Sequence, residues 1–272
     1  MHRVLISPHR ISGCTATLDD PKQLHHLCAV LRLKAGDRVC CFDGQGAESA
    51  GTISHLTRAR MTVRLDQRPE TGARGRMLWL ALGLIKAPRF DWLIQKATEL
   101  GATRLSPIVT ERTVIRLTDT QGRQKRERWR RIAEEASTQC SRADVPVIDP
   151  PQSFPTLLPL LGDVPLVLIP TLAVSARPFR EVLRGSGAGD VAVLIGPEGD
   201  FTSEEVAAAV KVGAQPVSLG RLTLRSETAA LACLASRFPT GTPVSVERLR
   251  QVDRCEQGVR ALGFTQVRAR FH

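Results

Sequence analysis

Histidine is scarce in this chain and nearly confined to one end of it. Five of the six lie at or before position 55 (His2, His9, His25, His26 and His55) and the sixth is His272, so residues 56 to 271 contain no imidazole. Chemistry in that stretch must run without a histidine base or ligand, which excludes Ser-His-Asp hydrolases, Cys-His proteases and most zinc enzymes. The seven cysteines (Cys14, Cys28, Cys40, Cys41, Cys140, Cys233 and Cys255) are an odd set with no C-x-x-C spacing. That argues against a disulfide framework and against a metal site, and for reduced, mostly buried thiols. Neither a G-x-x-x-x-G-K-[ST] phosphate cradle nor a G-x-G-x-x-G fingerprint is present. No window reaches the roughly 18 uninterrupted apolar residues of a membrane helix, and the opening MHRVLISPHRISG has no long apolar stretch before a cleavage-like site. A cytoplasmic protein without membrane contact is expected. The functional groups left for chemistry are backbone, arginine and carboxylate.

Lysine is also rare: 6 of the 38 basic residues, leaving 32 arginines, against 27 acidic residues and a net charge of +11. The planar guanidinium grips phosphate bidentately and stacks on bases, so this excess points to nucleic acid, with GC-rich codon usage as the bland alternative. A length of 272 residues with 42% hydrophobic and 24% charged content excludes disorder, collagen and coiled coil. It suits one large or two modest domains.

Two textures divide the chain. Up to residue 70, short β-like runs (38 to 42, 47 to 54, 61 to 65) alternate with turns such as Asp43-Gly44 and with one helical segment, 21 to 32, capped by Asp20 with Pro21 in its first turn. A small β-barrel is expected there. Residues 68 to 76 bring proline, two glycines and three arginines, and 71 to 76 read as a linker. From Met77 to about residue 240, apolar runs (77 to 85, 104 to 109, 164 to 169, 191 to 195, 216 to 219) alternate with helical stretches (89 to 100, 124 to 140, 176 to 184, 203 to 212, 227 to 238). Continuous apolar strands separated by helices predict an α/β domain whose parallel sheet is covered on both faces. Residues 241 to 272 form a basic extension with one helix-like stretch, 245 to 262.

Ligands of such sheets bind outside the carboxyl ends of the strands, and two loops there stand out. The first follows the strand ending at Ile195: Gly196-Pro-Glu-Gly199, with Thr202 and Glu205 at capping-box spacing for the next helix. Its glycines allow close backbone approach to a ligand, although the same four residues also suit a plain tight turn. The second runs from Leu219-Gly220 to Leu224-Arg-Ser-Glu-Thr228, where Arg225 and Glu227 flank a helix start. Read singly, Glu227 favours the helix terminus and Arg225 is a solvated cation. The run from Arg123 to Arg131 has six cations in nine residues and suits either a solvated helix face or an RNA groove, with Trp129 as a core anchor. His25 and His26 suit packing or hydrogen bonding better than metal binding.

Together these segments resemble the ribosomal RNA small subunit methyltransferase E family, the uridine N3 methyltransferases of the SPOUT class. The resemblance rests on His25-His26-Leu27, Val30-Leu31-Arg32, Gly36-Asp37, Lys86, Gln95 to Gly101, Glu111-Arg112, Trp129, Glu135-Ala136, Gln139, Arg142, Gly196 to Gly199 and Leu224 to Thr228, in order from about residue 3 to 238. It implies a PUA-like RNA-binding barrel followed by a SPOUT domain with a C-terminal trefoil knot, a homodimer, S-adenosyl-L-methionine as cofactor, and 16S ribosomal RNA of the small ribosomal subunit as substrate. On this analogy Leu194, Ile195, Gly196, Pro197, Glu198, Gly199, Leu219, Gly220, Leu224 and Thr228 hold the cofactor, with Thr171 a weaker member. Arg225 and Glu227 are the expected catalytic pair. Arg3, Arg32, Lys86, Arg89, Arg112 and Arg142 are expected on RNA phosphate and sugar. Two positions depart from the usual family pattern: Asp200 where a further glycine is common, and Leu222 where an arginine is often found. Three other readings compete: ribose 2′-oxygen methylation on the same fold, a non-catalytic ribosome-assembly protein with a decayed pocket, and the generic basic α/β domain that composition alone supports.

Overall fold

The computed structural model describes residues 1–71, 75–171, 176–187 and 189–237. Met1–Ala235 form one compact unit; the rest, Ser236–His272, is described only to Arg237. Phe238, the expected helix at 245 to 262 and the tail after Thr240 therefore lie outside the described residues, as do three residues of the expected linker, 72 to 74.

The amino-terminal part is one seven-stranded sheet. Its path runs His2–Leu5, Arg38–Phe42, Ala47–Leu56, Met61–Leu65, Thr15–Leu18, Ile11–Ser12, with Glu70–Thr71 added beside Ala47–Glu48. All pairings are antiparallel except His2–Leu5 with Arg38–Phe42, which is parallel. Alternate residues (Val39 and Cys41, Met61, Val63 and Leu65) turn inward onto one apolar cluster, the period-2 pattern of a half-buried sheet. Asp20 caps the helix Pro21–His25 by accepting from the Gln23 N–H at 2.8 Å. That helix continues as one π-turn, His26–Val30, and Arg32 follows in the left-handed region at φ 54°. Leu24 and Leu27 are buried, whereas His25 and His26 are exposed, so of the two roles expected for the histidine pair, packing or hydrogen bonding, packing into the core is not the one they take.

The remainder is an eight-stranded, all-parallel sheet in the order Val147–Ile148, Arg104–Val109, Leu78–Gly83, Val191–Ile195, Leu166–Pro170, Ala214–Ser218, Arg177–Pro178, with Gln152–Ser153 also on Arg104–Val109. Its central strands are buried on both faces, which is why they read as uninterrupted apolar runs. On one face Leu78, Leu80, Leu82, Val193 and Ile195 pack against Phe90, Leu93 and Trp129. On the other, Trp79, Ala81, Leu194 and Ile169 meet Phe154, Leu157 and Phe201. Trp129 is buried against Phe90, ring centroids 4.6 Å apart, and its indole N–H donates to Asp91 at 3.0 Å. The basic run it interrupts thus belongs to a helix anchored on the core. That helix, Asp119–Gln139, begins earlier than the expected 124 because Thr118 and Gln121 form a capping box.

The two parts meet at backbone carbonyls, which accept from backbone N–H groups and from the Arg3 guanidinium. Gly46 donates to the Ala143 carbonyl at 3.1 Å, Val145 to the Gly44 carbonyl at 2.9 Å, and Arg3 to the Arg142 carbonyl at 3.0 Å. Among the described residues no helix is long and apolar enough to cross a membrane.

Candidate active site

Three parallel strands, Leu166–Pro170, Val191–Ile195 and Ala214–Ser218, lie side by side, and the loops beyond their carboxyl ends enclose a cleft. It is lined by Pro170 and Thr171, by Ile195, Gly196, Pro197 and Asp200, and by Leu219, Gly220, Leu222, Thr223, Leu224, Ser226 and Ala229. The two glycine loops of the sequence therefore converge on one site.

Close backbone approach makes this possible at Gly83, the last residue of its strand. A Cβ there would stand 2.4 Å from the Pro197 nitrogen and 2.8 Å from the Gly196 carbonyl carbon, so only glycine lets the Gly196-Pro197 loop fold over the strand end. Gly220 adopts φ 123°, a conformation reserved for glycine. Asp200 stands at φ 60°, which is why glycine suits this position; aspartate tolerates it, and its carboxylate accepts from the Phe201 N–H at 2.8 Å. Thr202 and Glu205 form the expected reciprocal capping box. Among the described residues lining the cleft, Asp200 is the sole ionisable group.

Of the residues expected around the cofactor, Thr171, Ile195, Gly196, Pro197, Leu219, Gly220 and Leu224 line the cleft. Leu194 does not: it is fully buried against the opposite face of the sheet, as the strand's alternation requires. Glu198 is exposed and faces Arg89 at 3.8 Å; Gly199 packs against Arg112; Thr228 is exposed in the first turn of the helix Ser226–Arg237. Sequence reasoning missed Asp200, Ser226 and Ala229 as lining residues. Ser226 and Ala229 sit three apart on one helix face, a spacing that could have revealed them.

Arg225 and Glu227 flank the lining residue Ser226. Arg225 is exposed, and Glu227 is half-buried with one carboxylate oxygen, Oε2, shut off from solvent and without a hydrogen-bond partner among the described residues. A buried orphan acceptor is uncommon, and this one belongs to the neighbour of the lining residue Ser226.

The basic residues expected on RNA differ in their surroundings. Arg32, Lys86 and Arg89 are exposed. Arg142 is instead turned inward, its guanidinium donating to the Thr98 carbonyl at 2.6 Å, the Ala102 carbonyl at 2.9 Å and the Asp144 carboxylate. Arg3 is likewise enclosed, donating to Glu48 at 2.8 Å with its guanidinium 4.8 Å from the Phe42 ring. Arg112 is exposed as well, with its guanidinium directed to the Gly199 carbonyl at 2.9 Å. Among the described residues no cluster of three or more His, Cys, Asp or Glu is placed to hold a metal ion.

The cleft fits an adenosyl group in kind. Its apolar walls (Ile195, Leu219, Leu222, Leu224) suit a flat heterocycle, its glycines bring backbone groups close, and Thr171, Thr223 and Ser226 supply hydroxyls.

Comparison with known proteins agrees with this geometry. The family profile described as RNA methyltransferase domain matches residues 74–237, and that described as RNA methyltransferase PUA domain matches residues 18–66. The Ribosomal RNA small subunit methyltransferase E of Synechocystis sp. is 33% identical over 236 residues, covering 86% of this chain and 76% of the relative. That of Bacillus subtilis is 29% identical, covering 79% and 86%. Among solved structures, the Ribosomal RNA small subunit methyltransferase E of Neisseria gonorrhoeae bound to S-adenosyl methionine superposes with a TM-score of 0.73 at 26% identity, covering 87% of this chain and 96% of that one. A Legionella pneumophila methyltransferase in complex with the same cofactor gives 0.76 at 28%, covering 86% and 95%. With cleft, parallel sheet and both domain profiles in agreement, the chain belongs to the ribosomal RNA small subunit methyltransferase E family.

Proposed function

We propose that this protein transfers a methyl group from S-adenosyl-L-methionine to N3 of a uridine in 16S ribosomal RNA of the small ribosomal subunit. The observation that carries the reading is the cleft at the ends of three parallel strands, in a chain similar to a family member and to a further methyltransferase that are both solved with that cofactor. When bound, the cofactor supplies an electrophilic methyl on a sulfonium centre. The protein's part is to align the uridine nitrogen with that methyl and to take up one proton, neither of which requires histidine or metal. Arg225 stabilises the negative charge that develops on the uracil ring, and Glu227 orients Arg225 or, through its unpartnered oxygen, accepts the N3 proton. The loops at Ile195 to Gly199 and Leu219 to Leu224 hold the cofactor, with Thr171 beside them.

Arg32, Lys86 and Arg89 are solvent-facing cations suited to RNA phosphate, so binding weakens steeply with salt. The left-handed backbone of Arg32 supports its place in that set, because strained residues cluster at functional positions. A homodimer, a knotted carboxyl-terminal domain and a cytoplasmic location complete the reading. Light scattering tests the first.

Nucleoside mass spectrometry decides the reaction. The purified protein with S-adenosyl-L-methionine is incubated with small subunits, and separately with naked ribosomal RNA, from cells lacking the activity. The expected product is 3-methyluridine; a ribose-methylated nucleoside overturns the specificity, and no product with intact RNA binding favours a non-catalytic assembly factor. Arg225→Ala lowers the turnover rate far more than cofactor affinity, and an equal loss of both refutes the role given to Arg225.

A further inference from the structure

The cleft wall at Gly196 to Asp200 is held from outside by a neighbouring loop. That loop follows the strand Arg104–Val109 and starts with a rigid base: Thr110 and Thr113 are both buried, the Thr110 N–H donates to the Thr113 hydroxyl at 2.9 Å, and the two hydroxyls lie 3.0 Å apart. From this base Glu111 and Arg112 project onto the cleft loop. The Glu111 N–H donates to one oxygen of Glu205 at 2.9 Å, while the other oxygen of Glu205 accepts from the Thr202 N–H at 2.9 Å. The Arg112 Nη1 donates to the Gly199 carbonyl at 2.9 Å and lies 3.5 Å from the Phe201 carbonyl. The side chain runs so close along the loop that a Cβ on Gly199 would stand 3.0 Å from the Arg112 Cβ. Between the two carbonyls is Asp200, the cleft-lining residue in the left-handed region.

We infer that Arg112 is a positioning residue for the cofactor loop, holding the turn through Gly199, Asp200 and Phe201 in the shape that forms the cleft wall. The inference rests on the cofactor reading of that cleft. Arg112 itself does not line the cleft, and its known partners are backbone carbonyls, groups that a guanidinium satisfies by fixing chain geometry. Aspartate tolerates the left-handed backbone at position 200, and the attachments of the neighbouring loop, Arg112 onto Gly199 and Glu111 onto Glu205, lie on either side of it. Its role is thus distinct from the phosphate contact its sequence position suggests.

The test is a binding split on the full-length protein. Affinity for S-adenosyl-L-methionine is measured by calorimetry, affinity for a 16S ribosomal RNA fragment by anisotropy across a salt series, and loop opening by amide hydrogen exchange over residues 196 to 205. Arg112→Ala is expected to weaken cofactor binding roughly tenfold, the scale of one charge-assisted hydrogen bond lost, and to speed exchange at Asp200 and Phe201. RNA affinity and its salt slope stay as in the wild type. Arg112→Lys, which keeps a cation able to reach one carbonyl, restores part of the cofactor affinity. The inference is overturned if Arg112→Ala leaves cofactor affinity and exchange unchanged, and equally if it shallows the RNA salt slope by about one phosphate contact instead. Should Arg112→Ala fold poorly, Arg112→Lys alone decides by the same split. Wild-type protein that bound no S-adenosyl-L-methionine would overturn the cofactor reading itself, a result visible before any variant is made.

Discussion

Replacing Gly83 with alanine puts the link between sheet and cleft under direct strain. The added Cβ would lie 2.4 Å from the Pro197 nitrogen, 2.7 Å from its Cδ and 2.8 Å from the Gly196 carbonyl carbon. Ordinary contact is near 3.5 Å, so strand and loop must part by about an ångström. Both obstacles are backbone or ring, with no flexible side chain to swing aside, and Arg112 holds the loop from its far side. Overpacking of this kind costs roughly 1–3 kcal/mol. At about 2–4 °C per kcal/mol for a protein of this size, the melting temperature falls by several degrees. Because the displaced atoms form the cleft wall, cofactor affinity should fall by about tenfold or more, each factor of ten being about 1.4 kcal/mol. Gly51→Ala is the matched control: its Cβ would lie 2.6 Å from the Arg64 carbonyl oxygen, in the amino-terminal sheet. Scanning calorimetry and cofactor titration on both variants separate the effects. Equal loss of melting temperature with cofactor affinity retained in Gly83→Ala would refute the proposed coupling.

Arg142→Ala should behave as a stability variant, since removal of its guanidinium strips donors from the Thr98 and Ala102 carbonyls and a partner from Asp144. Denaturant unfolding should show a loss of about 2–4 kcal/mol, with the salt slope of RNA binding unchanged; a shallower slope would return Arg142 to the phosphate set. Burial pushes the thiols of Cys41 and Cys233 up to about 12, with Cys40 beside Cys41 adding to the shift. Thiolate being the reactive form, iodoacetamide at pH 8 should label exposed Cys14 while both stay unmodified until unfolding, as peptide mass mapping can check. The same raised values carry a pH sign. Their folded-state contribution is complete below the ordinary thiol value of 9.0 and is lost as pH rises from there toward about 12, so the unfolding midpoint should fall across that alkaline window.

Much of the architecture is legible along the chain. The strands Arg38–Phe42, Met61–Leu65, Arg104–Val109 and Val191–Ile195 coincide with their apolar runs, because a strand buried on one or both faces must declare itself in local hydrophobicity. The cap at Asp20 and the box at Thr202 and Glu205 were equally visible, being contacts between residues three apart. Two-residue strands such as Val147–Ile148 and Arg177–Pro178 were not: two residues carry no period, and they pair only because a long neighbour offers an open edge.

The site divides along the same line. Both glycine loops could be read as ligand loops, but their meeting follows from strand order, in which Leu166–Pro170 lies between Val191–Ile195 and Ala214–Ser218. Leu194 shows the limit of reading a motif as a block, since one step along a strand turns a side chain to the opposite face.

Sequence by itself determined the α/β class, the two textures, the two glycine loops at the strand ends and the absence of histidine from the domain that bears them, all properties of local pattern and composition. Tertiary structure alone decided what each arginine does. Arg32, Arg112 and Arg142 are chemically identical in a string of letters; one faces water, one grips the Gly199 carbonyl and one is enclosed between Thr98 and Asp144. The difference lies in which carbonyls and carboxylates the fold brings within 3 Å, and those partners are up to 87 residues away in the chain.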